Sequence, residues 1–148
     1  MKRLTREESG LTEKEYKTLE RLSTPIKIQD FLDLLPMNWE KKGDTHMSPR
    51  RVLAEKKAHC IEGAMLAAAA LWVHGERPLI MNVSPRMGHG DDDHVIALYK
   101  RGGRWGAISK TNHASIRFRD PAYRTLRELV FSYFHEWFLN STGEKLLE

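Results

Sequence analysis

The chain has one cysteine, Cys60, among its 148 residues. A single thiol closes no intramolecular disulfide, so stability has to come from a packed core, and a reducing cytoplasm is the expected compartment. Long apolar runs are missing as well. Ala64 to Val73 is among the longest, far short of the roughly 18 residues of a membrane span. The opening residues, MKRLTREESG, carry charge where a secretory leader would be apolar. There is no block of like charge. The 24 basic residues are scattered among 20 acidic ones for a net +4, which argues against nucleic acid as a partner. Internal repeats and low-complexity stretches are also absent. What is present, 41% hydrophobic and 30% charged residues, is the composition of an ordinary globular protein. The expectation is a single domain over residues 1–148, with 1–10 and 140–148 carrying little order.

The chain punctuates itself clearly. Thr12 with Glu15 forms a capping box ahead of Tyr16, Leu19 and Leu22 on one helical face. Thr24-Pro25 and Ser48-Pro49 each pair an N-cap residue with proline at the first helical position. Between them, 36–47 reads as a loop. From Cys60 to about His74 the pattern is apolar all round, which places this helix in the middle of the domain. LIMNVS, HVIALYK and RWGAIS read as strands, the last two joined at Gly102-Gly103 as a two-residue hairpin. SIRFR is a short extended piece, and a last helix is expected from about Tyr123 to Phe138. Helices, then an antiparallel sheet, then a helix give an α+β class.

Chemistry concentrates around Cys60. It falls in the first turn of the central helix, where unpaired N–H groups and the helix dipole favour a thiolate. Glu62 favours the helix start but opposes a nearby thiolate. A packed, inert thiol is the plain alternative. His94 opens the strand HVIALYK. If the hairpin pairs Arg101 with Arg104, His94 faces Thr111, with Ser109 two residues along on the same face and within side-chain reach. Either could orient the imidazole, completing a nucleophile–base–orienter set.

These residues resemble the transglutaminase-like superfamily of the papain-like fold. A helical segment (SPRRVLAEK) leads to Cys60 at the head of a central helix, with a small residue, Ala64, four positions on. A glycine-containing turn and a strand follow (HGERPLIMNV). His94 starts the next strand, a hairpin follows, and Trp105 precedes the third position, Ser109, by four. The resemblance covers about residues 46–112. It departs at Ser109, where the family usually has Asp. The resemblance implies a central helix carrying Cys packed on a small antiparallel sheet, with flanking N- and C-terminal helices. It also implies acyl transfer from a peptide or amide carbonyl through a Cys60 thioester, by a cysteine protease-like hydrolase or an acyl transferase. Cys60, His94 and Ser109 would be the catalytic residues, and no cofactor is required. The oxyanion would rest on the Cys60 N–H and on Trp39, Asn38 or Gln29. Thr111, Asn112, Asp92, Asp93 and His89 are the remaining substrate-site candidates.

Two alternatives stand beside this reading. One is a binding module of the same fold whose turnover is reduced by serine at the third position. The other is a metal-dependent enzyme built on HGDDDH, residues 89–94, using His89, Asp91 to Asp93 and His94. Lys110, Asn112 and His113 are expected near the site as substrate contacts or turn residues. Arg117, Arg119, Arg124 and Arg127 form either an anion patch or a solvated face, and FSYFHEWF at 131–138 reads as core plus helix surface. Nothing in the pattern fixes an oligomeric state.

Overall fold

The computed structural model describes residues 1–41, 43, 45–84, 93–138 and 142–144. Six helices and four strands follow in the order α1 (Arg6–Ser9), α2 (Glu13–Arg21), α3 (Pro25–Leu34), α4 (Pro49–Glu55), α5 (Cys60–Val73), β1 (Leu79–Val83), β2 (His94–Arg101), β3 (Arg104–Ile108), β4 (Arg119–Tyr123) and α6 (Leu126–Phe131). The class is α+β. The strands form one antiparallel sheet in sequence order, β1-β2-β3-β4, and α5 packs on it along β2. Among the described residues no helix is long and apolar enough to cross a membrane.

Local chemistry sets the helix ends. Thr12 and Glu15 make both arms of the capping box at α2, and Thr24 and Ser48 accept from the third helical N–H of α3 and α4, each with proline at the start. In the stretch 1–10, for which little order is expected, α1 has its own capping box from Thr5 and Glu8. Leu4 is buried, with its N–H bonded to the Trp72 carbonyl at 3.2 Å. Of residues 140–148, only 142–144 are described.

α5 is the hub. Leu66, Ala67 and Ala70 are fully buried, and its alanines keep that side of the helix thin enough for the sheet to approach closely. β2 is covered on both faces. Val95, Ala97 and Tyr99 join the cluster built on α2, α3 and α5; Ile96 and Leu98 join a second cluster with Leu129, Tyr133 and Trp137. That double burial explains why HVIALY is continuously apolar rather than alternating. Arg101 pairs with Arg104 as the hairpin reading requires. The ladder ends at Ala97 opposite Ile108, so the opposition of His94 and Thr111 expected by extending it is not part of the sheet. His94 instead pairs with Val83 of β1.

The C-terminal third departs from expectation. SIRFR is not a simple extended piece: Ala114–Ile116 form a single 3-10 turn and Arg119–Tyr123 form β4. Pro121 is tolerated there because β4 is an edge strand, with one side unpaired. The helix expected from Tyr123 to Phe138 is confined to Leu126–Phe131, capped by Thr125 and followed by turns.

Candidate active site

Cys60 is the first residue of α5, with His59 as N-cap in an extended conformation. The first intrahelical bond runs from the Gly63 N–H to the His59 carbonyl at 2.9 Å, so the N–H groups of Cys60 and Ile61 precede the helical ladder. The half-buried sulfur lies over the beginning of β2, donating to the Asp93 carbonyl at 3.7 Å. The His94 ring and the Val95 N–H are the other groups that act on its ionisation. Partial burial pushes the Cys60 thiol up, but the nearby His59 and His94 rings and the Val95 N–H outweigh it and bring the pKa down to about 6.

His94 is buried, with Nε2 2.6 Å from the Ser109 hydroxyl. Since Nε2 is occupied by Ser109, Nδ1 is the nitrogen free for the sulfur. Ser109 is held in turn by Gln29. The Gln29 amide accepts from the Ser109 N–H at 2.9 Å and donates to the Ser109 carbonyl at 2.8 Å, all of it buried. Trp137 packs its ring edgewise on His94, centroids 5.5 Å apart. The sequence reading of 131–138 as core plus helix surface fits buried Tyr133 and exposed Phe131 and Phe138, and Trp137 in addition lines the cavity over the site.

That cavity has a volume of about 800 Å³ and is open to solvent. Cys60, His94, Trp39, Asp93 and Trp137 are on its wall, as are Asn38, Thr111 and Asn112. The three oxyanion candidates are not equivalent. Gln29 is not on the cavity; its amide is committed to Ser109 and to Asp33, at 2.8 Å. Asn38 reaches the wall, but its NH₂ donates to Thr45 and Glu62, at 2.8 and 3.1 Å. Trp39 is two-thirds exposed on the rim. Thr111 accepts from the His113 N–H at 3.0 Å rather than orienting His94. The Asp93 carboxylate accepts from Asn82 at 2.5 Å. His89, Asp91 and Asp92 lie outside the described residues. Arg117 pairs with Asp30 and Asp33, and Arg119 binds Glu136 and Ser132 with its guanidinium over the Tyr133 ring; neither contributes to an open anion patch.

The sequence reading missed the structural role of Glu62, which it took only as a charge opposing a thiolate, and it missed Gly63 altogether. Glu62, two residues after Cys60 in the first turn of α5, is fully buried. Its carboxylate accepts from Thr45 Oγ1 at 2.7 Å, the Met47 N–H at 3.0 Å, Asn38 Nδ2 at 3.1 Å and the His59 N–H at 3.0 Å. Burial alone would raise its pKa, yet these donors hold it below the ordinary carboxylate value. Its task is to pin the 38–47 loop to the head of α5. Gly63 lies against the residue after Ser109: a Cβ built there would be 2.3 Å from Lys110 Cβ. Glycine lets α5 close on the end of β3, and Lys110, with its ammonium on the Leu35 carbonyl, fills the gap. A lone glycine inside an apolar helix is the signal that could have pointed to this close approach.

No protein-family model and no curated protein matches the chain. The site combines a low-pKa thiol on a helix head, an imidazole fixed by a buried hydroxyl, and a cavity that opens on both.

Proposed function

We propose that this is a thiol-dependent hydrolase or acyl transferase of transglutaminase-like, papain-like fold, acting on a peptide or amide substrate. The observation that carries the proposal is that Cys60 and His94 share the wall of one open cavity, with the buried Ser109 hydroxyl bonded to His94 behind it. They come from the head of α5, the start of β2 and the residue just after β3, 34 and 15 residues apart in sequence (94 − 60 and 109 − 94). The Cys60 thiol gives its proton to His94. The thiolate attacks the substrate carbonyl carbon, the C–S bond forms, and the carbonyl π electrons move onto oxygen. The Cys60 N–H at the helix head supports that oxyanion, with Trp39 as the side chain best placed on the rim. Collapse breaks the C–N bond, and His94 protonates the departing amine. Water or an acceptor amine, deprotonated by His94, then attacks the thioester and releases the sulfur. Ser109 keeps Nδ1 of the ring toward the sulfur throughout.

The alternative of a binding module without turnover draws on Ser109, which is neutral where the resembled family has a carboxylate. The half-buried sulfur on an open cavity favours turnover. The metal-dependent alternative draws on a loop mostly outside the described residues, and its two described members have other partners: Asp93 holds Asn82 and His94 holds Ser109. The test is trapping of the acyl-enzyme. Incubation with a panel of peptide nitrophenyl esters should add one acyl mass to the peptide containing Cys60, releasable by hydroxylamine and absent from Cys60→Ala. Product formation that persists in Cys60→Ala, or no adduct across the panel, would remove the proposal.

A further inference from the structure

Two imidazoles flank the Cys60 sulfur, and they are supported differently. The His59 side chain is 15% exposed. Its Nδ1 lies 3.9 Å from Cys60 Sγ. Its Nε2 donates to the Thr45 carbonyl at 2.7 Å and lies 3.2 Å from Glu40 Oε1 and 3.4 Å from Glu62 Oε1. Every partner of Nε2 is an acceptor, so that nitrogen carries a proton; facing a thiolate, Nδ1 carries the second. Both carboxylates are fixed. Glu40 accepts from the Thr45 N–H at 2.5 Å, and Glu62 is tied down by its four donors. Burial works against a charged ring here, but the bonds to Cys60 and the Thr45 carbonyl, with the charges of Glu62 and Glu40, raise the His59 pKa to about 9. His94 has no such support: its second nitrogen meets a neutral hydroxyl.

We infer that His59 is a positioning residue that stays imidazolium through the reaction and holds Cys60 as thiolate, leaving His94 alone to carry the proton. The inference rests on Cys60 being the nucleophile proposed above. No bond is made or broken at His59, and its two protons stay where they are. The carboxylate support that Ser109 does not give to His94 is supplied instead to the neighbouring histidine. The charged and titratable groups around His59 among the described residues are Glu40 and His46 from the loop, the latter with its ring centroid 6.4 Å away, Cys60 and Glu62 from α5, and His94 across the sulfur.

Two measurements on the full chain test it. NMR titration of the histidine rings in the unmodified protein should place the His59 midpoint near 9; a midpoint at the ordinary value of about 6.5 would overturn the inference. Iodoacetamide alkylation of Cys60 against pH should show its midpoint rising by about one to three pH units in His59→Gln, the range expected for losing an opposite charge at this distance. An unmoved midpoint in a variant with wild-type circular dichroism would overturn it. The ring titration needs no substitution and decides the matter should His59→Gln fail to fold. Thioester formation on Cys60 reads the underlying proposal separately: intact thioester chemistry with an unmoved midpoint defeats this inference alone.

Discussion

The two flanks of Cys60 are built from different chemistry. On the loop side, Asn38, Thr45, Met47, His59 and Glu40 gather around the buried Glu62 carboxylate, and nearly every bond there is charge-assisted. On the sheet side, His94, Ser109 and Gln29 are linked by neutral hydrogen bonds. The contrast teaches how one fold divides two tasks between two imidazoles. A ring among carboxylates keeps its charge and can only influence the sulfur. A ring against a hydroxyl is free to gain and lose a proton, as a general base must.

Removing the sheet-side imidazole should have the largest effect. His94→Ala is expected to lower kcat for ester and anilide hydrolysis by roughly 10²–10⁴-fold, the span of general acid–base catalysis, read by steady-state kinetics. Removing the anchor of the loop side comes next. Glu62→Ala strips a fully buried carboxylate from four donors and should cost about 3 kcal/mol or more in urea unfolding. The pH sign follows from its lowered pKa. The folded carboxyl sits below the unfolded value of 4.5, so its contribution is fully present above that value and is lost as pH falls through the folded pKa. The variant's stability deficit should therefore shrink in acid.

Gly63→Ala tests whether the two flanks must stay in register. Its methyl meets Lys110 Cβ at 2.3 Å, so α5 and the end of β3 have to separate. The expected cost is about 1–3 kcal/mol, with a fall in thioester formation through the displaced Ser109. The smallest effect is at the hydroxyl. Ser109→Ala should slow turnover by about tenfold, equivalent to ~1.4 kcal/mol. Ser109→Asp would make the sheet side resemble the loop side, and steady-state kinetics should show turnover at least equal to that of the unmodified protein.

Much of this was legible in the sequence where local chemistry decides. Thr12, Thr24 and Ser48 mark helix starts that the structure keeps, and Gly102-Gly103 sets a hairpin register that brings Ser109 toward His94. That register could not be carried past Ile108. The chain leaves the ladder there because Gln29, 80 residues upstream, takes both backbone groups of Ser109. β4 and the short α6 were missed for a related reason. Arg119 is held by Ser132, Glu136 and the Tyr133 ring, tertiary partners that no periodicity announces. Glu62 reads in sequence as a charge that opposes a thiolate. Only the fold shows it spent on the 38–47 loop and on His59.

The most direct measurement is the rate of Cys60 alkylation by iodoacetamide in the intact protein as a function of pH. With both flanks acting on one accessible sulfur, the rate should rise with a midpoint near 6. A midpoint at the ordinary thiol value of about 8.5, or a sulfur that reacts only after unfolding, would contradict it.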